Sequence, residues 1–154
     1  MAGRLLAEKF PLTVYNRGPE KAAAFAAGGA FVAPSPRQAA ARSEVVLSMV
    51  SDDDASRAVW LGENGALAGA LPGAVLIESS TLTVRWIKEL SQAASERGLQ
   101  LLDAPVTGTK PHAASGQLLF LVGAPLRRSP RRARFLPCWG ARPSISDLLA
   151  VEHC

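Results

Sequence analysis

Few side chains in this sequence are spaced so that they could do chemistry, and most of those follow short apolar runs. Asn16-Arg17 closes the run Leu12–Tyr15, with Lys21 a helical turn further on. A neutral amide and two cations suit a phosphate, although a solvated loop would carry them equally well. Met49-Val50-Ser51 is followed by Asp52, Asp53 and Asp54. Three consecutive carboxylates point in different directions, so they fit the first turn of a helix better than a metal ion. Glu78-Ser79-Ser80-Thr81 brings hydroxyls to the end of another apolar run, where Thr81 can cap a helix. His112 and His153 have no Ser, Cys or carboxylate partner at a motif spacing and read as incidental. Cys138 and Cys154 form neither a CxxC nor a zinc spacing. No metal site, disulfide framework or catalytic residue is expected from these patterns.

The elements that must position these residues alternate, β-branched apolar runs with Ala-rich stretches, as parallel strands joined by crossover helices do. The spacing predicts strands over Leu12–Tyr15, Phe31–Ala33, Val45–Val50, Ala74–Glu78, Leu99–Asp103 and Leu118–Val122. One predicted helix runs from about Pro19 to Ala27 and stops at Gly28-Gly29; a second begins near Asp52 and ends before Gly62. A third, Val84 to Arg97, follows a cap at Ser80/Thr81 or Thr83 and closes on Gly98. Its Val84, Ile87, Leu90 and Ala94 recur at helical spacing.

The chain has 154 residues, 48% hydrophobic and 19% charged, enough apolar material for one domain with a core. No apolar run reaches the ~18 to 20 residues of a membrane span, and charges interrupt the N-terminus where a secretory leader would be apolar. A cytoplasmic address and no membrane partner are expected. Residues 1–123 hold 11 basic and 11 acidic side chains, whereas residues 124–154 hold 6 Arg against Asp147 and Glu152. The net charge of +4 therefore belongs entirely to the tail. Arg127-Arg128 and Arg131-Arg132 lack interleaved aromatics, so nucleic acid is not expected as a partner. With four prolines and no sustained period, the tail reads as loop or disorder, with Leu148 to Val151 adding at most a turn of helix.

The ordered blocks LTVYNRGPEKA, VVLSMVSD, GENGALAGALPGAVLIESSTL, GLQLLDAPVTGTK and SGQLLFLVG resemble the NAD(P)-binding domain of the β-hydroxyacid dehydrogenases, relatives of 3-hydroxyisobutyrate and 6-phosphogluconate dehydrogenases. The resemblance covers about residues 1–123 and is closest to the glyoxylate and succinic-semialdehyde reductase branch. It implies an α/β fold: a Rossmann-like parallel sheet with flanking helices, with the first strand and Gly-rich turn missing and an irregular C-terminal tail over 124–154. It also implies a cofactor site at Asn16, Arg17, Lys21, Met49, Val50, Ser51 and Thr81. Where an acidic residue would bind the ribose 2′-hydroxyl of NAD, Asn16-Arg17 favours the 2′-phosphate of NADP, with NAD the lesser choice. Ser51 stands where many relatives have Pro. Thr107, Gly108 and Thr109 inherit a substrate-carboxylate site, the partner being a small hydroxy acid, keto acid or aldehyde. Lys110 does not match the family's catalytic lysine.

The family's GxGxxG segment and its all-α domain have no counterpart here, and Met1-Ala2 with Leu5-Leu6 matches the end of a GxMGxxMAxxLL run. The chain is therefore expected to be a fragment with a frameshifted end, inactive alone, of a homo-oligomeric parent. In a 3-2-1-4-5-6 sheet the missing strand is central, so an open gap, weak stability and weak dinucleotide affinity are expected. The competing class is a non-catalytic binding protein that presents the open edge and the Arg-rich tail to a partner.

Overall fold

In a computed structural model of the protein, residues 1–122 and 148–152 are described. The elements in chain order are α1 (Ala2–Ala7), β1 (Leu12–Tyr15), α2 (Pro19–Ala26), β2 (Phe31–Val32), α3 (Pro36–Ala40), β3 (Val45–Met49), α4 (Asp53–Trp60), α5 (Ala66–Gly69), β4 (Val75–Glu78), α6 (Val84–Ser95), β5 (Gln100–Asp103), β6 (Val106–Thr107), α7 (Lys110–Ser115), β7 (Leu119–Phe120) and β8 (Leu148–Glu152). Six strands form one parallel sheet in the order β2-β1-β8-β3-β4-β5.

Strand alternation sends successive side chains to opposite faces of this sheet, and each face is covered by helices. On one face Val46 and Leu76 are buried with Trp60 of α4 and with Trp86 and Leu90 of α6. On the other, Leu12, Val14, Val45, Leu47 and Ile77 pack with Ala2 of α1 and Ala22 of α2. The helix signals act where their chemistry places them. Asp52 caps α4 through Ala55 N–H at 2.8 Å, Pro19 opens α2, and Gly98 follows α6 with φ +68°. The cap of α6 is Thr83, whose hydroxyl accepts from Trp86 N–H at 3.3 Å, rather than Ser80 or Thr81.

Three expectations are corrected. The run at Leu118–Val122 does not extend the main sheet; β7 pairs antiparallel with β6 in a separate two-stranded sheet, Val106 opposite Phe120. Short helices α3 and α7 lie in segments to which the sequence patterns assigned no element, each with Pro at its first turn.

The third correction concerns the centre of the sheet. Residues 148–152 form neither a helical turn nor loop but β8, parallel to both neighbours, with Ala150 level with Val14 of β1 and Leu47 of β3. The expected gap between β1 and β3 is filled. Local sequence favours no element here, but two flanking strands offer unpaired N–H and C=O groups, and pairing with both outweighs weak local preference. Residues 123–147 and 153–154, including the Arg-rich run, both cysteines and His153, lie outside the described residues.

Candidate functional site

All six strands are parallel, so their carboxyl ends share one edge, and the turns there carry most of the residues singled out above. Asn16 and Arg17 lie just beyond β1. The Asn16 side-chain oxygen accepts from Gly18 N–H at 2.9 Å, which turns the chain into α2 and sets Lys21 in its first turn. Arg17 and Lys21 are exposed. Met49 ends β3, Val50 is buried behind it, and Ser51 leads into α4.

Between the β3–α4 and β4–α6 turns is an open cleft of about 410 Å³ lined by Ser51, Asp52–Asp54 and Thr81–Thr83. Of the predicted residues it brings together Ser51 and Thr81. Asn16, Arg17 and Thr107–Thr109 do not line it. Because Thr83 caps α6, Thr81 is relieved of that role and lies exposed in the cleft wall.

The carboxylates of the cleft have distinct tasks. Asp52 accepts from Ala55 N–H and from the Ser51 hydroxyl at 2.7 Å. Asp53 reaches across the cleft to Thr83, accepting from its N–H at 3.0 Å and from its hydroxyl at 2.5 Å. These two bonds, the hydroxyl first, hold the Asp53 carboxyl below its usual range. The two helices that flank the cleft are tied again farther along: Arg57 of α4 stacks on the Trp86 ring at 4.1 Å and meets Glu89 of α6 at 2.6 Å.

Beneath the cleft lies a residue that the sequence did not mark as functional. Glu78, the last residue of β4, is completely buried and accepts four hydrogen bonds. One oxygen receives the Ser56 hydroxyl and the Trp60 indole N–H, both at 2.7 Å; the other receives Ser80 N–H at 3.0 Å and the Ser80 hydroxyl at 2.6 Å. The only available signal was a carboxylate ending an otherwise apolar strand, and its helix partners lie 18 and 22 positions away. Level with Glu78 on β5 is Asp103. Burial first, then the negative charge of Glu78, pushes the Asp103 carboxyl up.

The predicted substrate loop is held on the small sheet. Thr107 is in β6, and Gly108 takes φ +140°. Thr109 caps α7 together with His112, whose Nδ1 accepts from Thr109 N–H at 3.1 Å and lies 2.8 Å from the Thr109 hydroxyl. His112, read as incidental, thus fixes the end of this loop.

Residues 1–148 match the NAD binding domain of 6-phosphogluconate dehydrogenase. Over 123 residues the chain is 37% identical to an NAD-dependent L-serine dehydrogenase of Pseudomonas aeruginosa, a match covering 80% of this chain and 41% of that protein. It is 33% identical over 141 residues to the mitochondrial 3-hydroxyisobutyrate dehydrogenase of Rattus norvegicus, covering 92% of this chain and 42% of the relative. The chain therefore spans less than half the length of these relatives. Among solved structures, Psf3 in complex with NADP+ and 2-OPP has the same fold, with a TM-score of 0.81 at 24% identity over 99% of this chain and 52% of that one.

Proposed function

This chain belongs to the β-hydroxyacid dehydrogenase family, as its NAD(P)-binding domain, and from that premise we propose that it binds NADP in preference to NAD at the carboxyl edge of its sheet. The observation that carries the reading is the pairing of an Asn16-Arg17 turn at the end of β1 with an open cleft at the ends of β3 and β4. In parallel α/β sheets, ligands lie outside the carboxyl ends of the strands.

The residues fit the two ends of a dinucleotide unequally, and the difference orients it. Arg17 and Lys21 suit the adenosine 2′-phosphate, and no carboxylate stands at position 16 or 17 to select a 2′-hydroxyl. The cleft carries Asp52, Asp53 and Asp54, so it repels phosphate and suits hydroxyl and amide donors instead. Ser51 and Thr81 would there meet the ribose and carboxamide of the nicotinamide half, with Met49 and Val50 backing them. When bound, the nicotinamide supplies the hydride chemistry.

The substrate class follows from the same premise: a small aldehyde or keto acid and its hydroxy acid. The relatives are named for L-serine and 3-hydroxyisobutyrate, small acids that each carry a hydroxyl. Because His112 engages Thr109 N–H, the substrate carboxylate is left to the Thr107 hydroxyl and to Gly108 in that loop. No residue of this chain is assigned the proton-transfer role.

The test is a fluorescence titration of the 154-residue chain with NADPH and NADH. NADPH is expected to bind more tightly, and Arg17→Ala to weaken NADPH by about tenfold or more while leaving NADH nearly unchanged, since the lost bond is charge-assisted. Equal affinities, or an equal loss for both dinucleotides, would overturn the NADP reading.

A further inference from the structure

We propose that Glu78 is the positioning residue of the cleft: its buried carboxylate fixes, through Ser80, where the β3–α4 turn lies relative to β4. Its bearing on the cofactor rests on the reading above, but the geometry does not. Val50 N–H, the last backbone donor before Ser51, donates to the Ser80 hydroxyl at 2.7 Å. That hydroxyl has one proton, and it goes to Glu78 at 2.6 Å. Glu78 therefore decides which way Ser80 donates, and so keeps a Ser80 lone pair directed at Val50.

The other Glu78 oxygen holds α4 from within, through Ser56 and Trp60. A single carboxylate thus joins three segments: the end of β3, the turn after β4, and the inner face of α4. All three form or support the walls that carry Ser51, Asp52–Asp54 and Thr81. At the mouth the same walls are joined by half-buried Asp53 and exposed Thr83, through bonds that lie open to solvent. Buried bonds keep their strength where exposed ones compete with water, so the inner network sets the spacing and the outer clip follows it.

A carboxylate is required there rather than any polar group. Gln has the same shape but turns one acceptor into an NH2 donor. Trp60 Nε1 and Ser80 N can only donate, so an amide opposes one of them in either orientation. Ser80→Ala is the milder probe. It leaves the Ser56, Trp60 and Ser80 N–H bonds to Glu78 in place and removes only the relay to Val50.

The experiment measures amide hydrogen exchange, residue by residue, in the wild-type chain, Ser80→Ala, Ser56→Ala, Glu78→Gln and the Glu78→Gln/Ser80→Ala double variant, with thermal unfolding of each as a control. In Ser80→Ala, Val50 is expected to exchange about tenfold faster while Val46 and Leu76 are unchanged. Ser56→Ala is expected to leave Val50 protected. Glu78→Gln should release either Val50, as Ser80→Ala does, or the α4 amides at Ser56 and Trp60, according to which oxygen its NH2 replaces, and release of neither would overturn the proposal. Where Val50 is released, the double variant should add nothing further at that amide. If Val50 keeps its protection in Ser80→Ala, or if its release merely follows that of every core amide, the proposal is overturned. Should Glu78→Gln fail to fold, the contrast between Ser80→Ala and Ser56→Ala still decides. NADPH titration of Ser80→Ala adds a separate reading: a severalfold loss of affinity is expected. A wild-type chain that binds no dinucleotide would sink the cofactor reading and leave the exchange result to judge Glu78.

Discussion

Two carboxylates near the edge of the sheet respond to pH with opposite signs. The folded state holds Asp53 below its usual range through Thr83, so at low pH it binds fewer protons than the unfolded state. Its contribution to stability is complete above the ordinary carboxylate range and is lost as pH falls through the depressed folded value. Asp103 is pushed up by burial and by Glu78, so the folded state there binds more protons, and stability falls as pH rises from the ordinary range through the raised one. Urea midpoints measured from pH 3 to pH 8 should therefore show Asp103→Asn more stable than wild type at neutral pH, with the advantage vanishing in acid. Asp53→Asn should be less stable at neutral pH and converge with wild type only in strong acid. An Asp103→Asn midpoint below that of wild type at neutral pH would refute the first assignment. Asp52 was legible as a cap because its partner is three residues away. Glu78 was not, because its role comes from Ser56 and Trp60, which the sequence places on another element.

Among the elements, strand interiors were readable and strand fates were not. Val45–Met49 and Val75–Glu78 show their apolar runs plainly, since both faces of a covered parallel sheet demand them. Leu118–Val122 has the same composition, yet β7 turns back on β6, because the chain reverses at Gly108 and passes through α7 first. That reversal is tightly constrained. A Cβ on Gly108 would lie 2.7 Å from Leu118 Cδ2 and 3.3 Å from His112 Cβ, at a φ that side chains rarely adopt. Gly108→Ala is expected to cost about 1–3 kcal/mol. The loss should be local, since Leu119 and Leu121 are exposed and this unit contributes little core. Limited proteolysis should cut within residues 105–120 faster than in wild type while the main melting transition shifts only slightly; a large, uniform drop in the transition with no new cut site would count against a local effect. The helix α3 shows the complementary case of a missed signal that was present. Ser35 before Pro36 is a cap followed by a first-turn proline, and the Ser35 hydroxyl accepts from Gln38 N–H at 3.2 Å.

At the scale of the whole molecule, the order of the sheet followed the family resemblance except at its centre. β8 satisfies two strand edges at once, which neither its composition nor its position in the chain suggested. Ala150→Pro tests this directly. Proline removes the backbone donor at the middle of a strand paired on both sides, so a loss of at least about 2 kcal/mol is expected. Proline at exposed Val84, the first residue of α6, where no intrahelical donor is lost, should cost far less. Thermal unfolding by circular dichroism compares the two; equal effects would show that β8 does not carry the sheet. The strand order also sets a schedule. Every other strand of the main sheet lies between Leu12 and Asp103, whereas β8, which pairs with β1 and β3, begins at Leu148. On a ribosome adding roughly 5–20 residues per second, the two halves must wait a few seconds for the strand that joins them. During that interval both inner edges are open, so the nascent chain is exposed to edge-to-edge pairing with other chains before it is a binding domain.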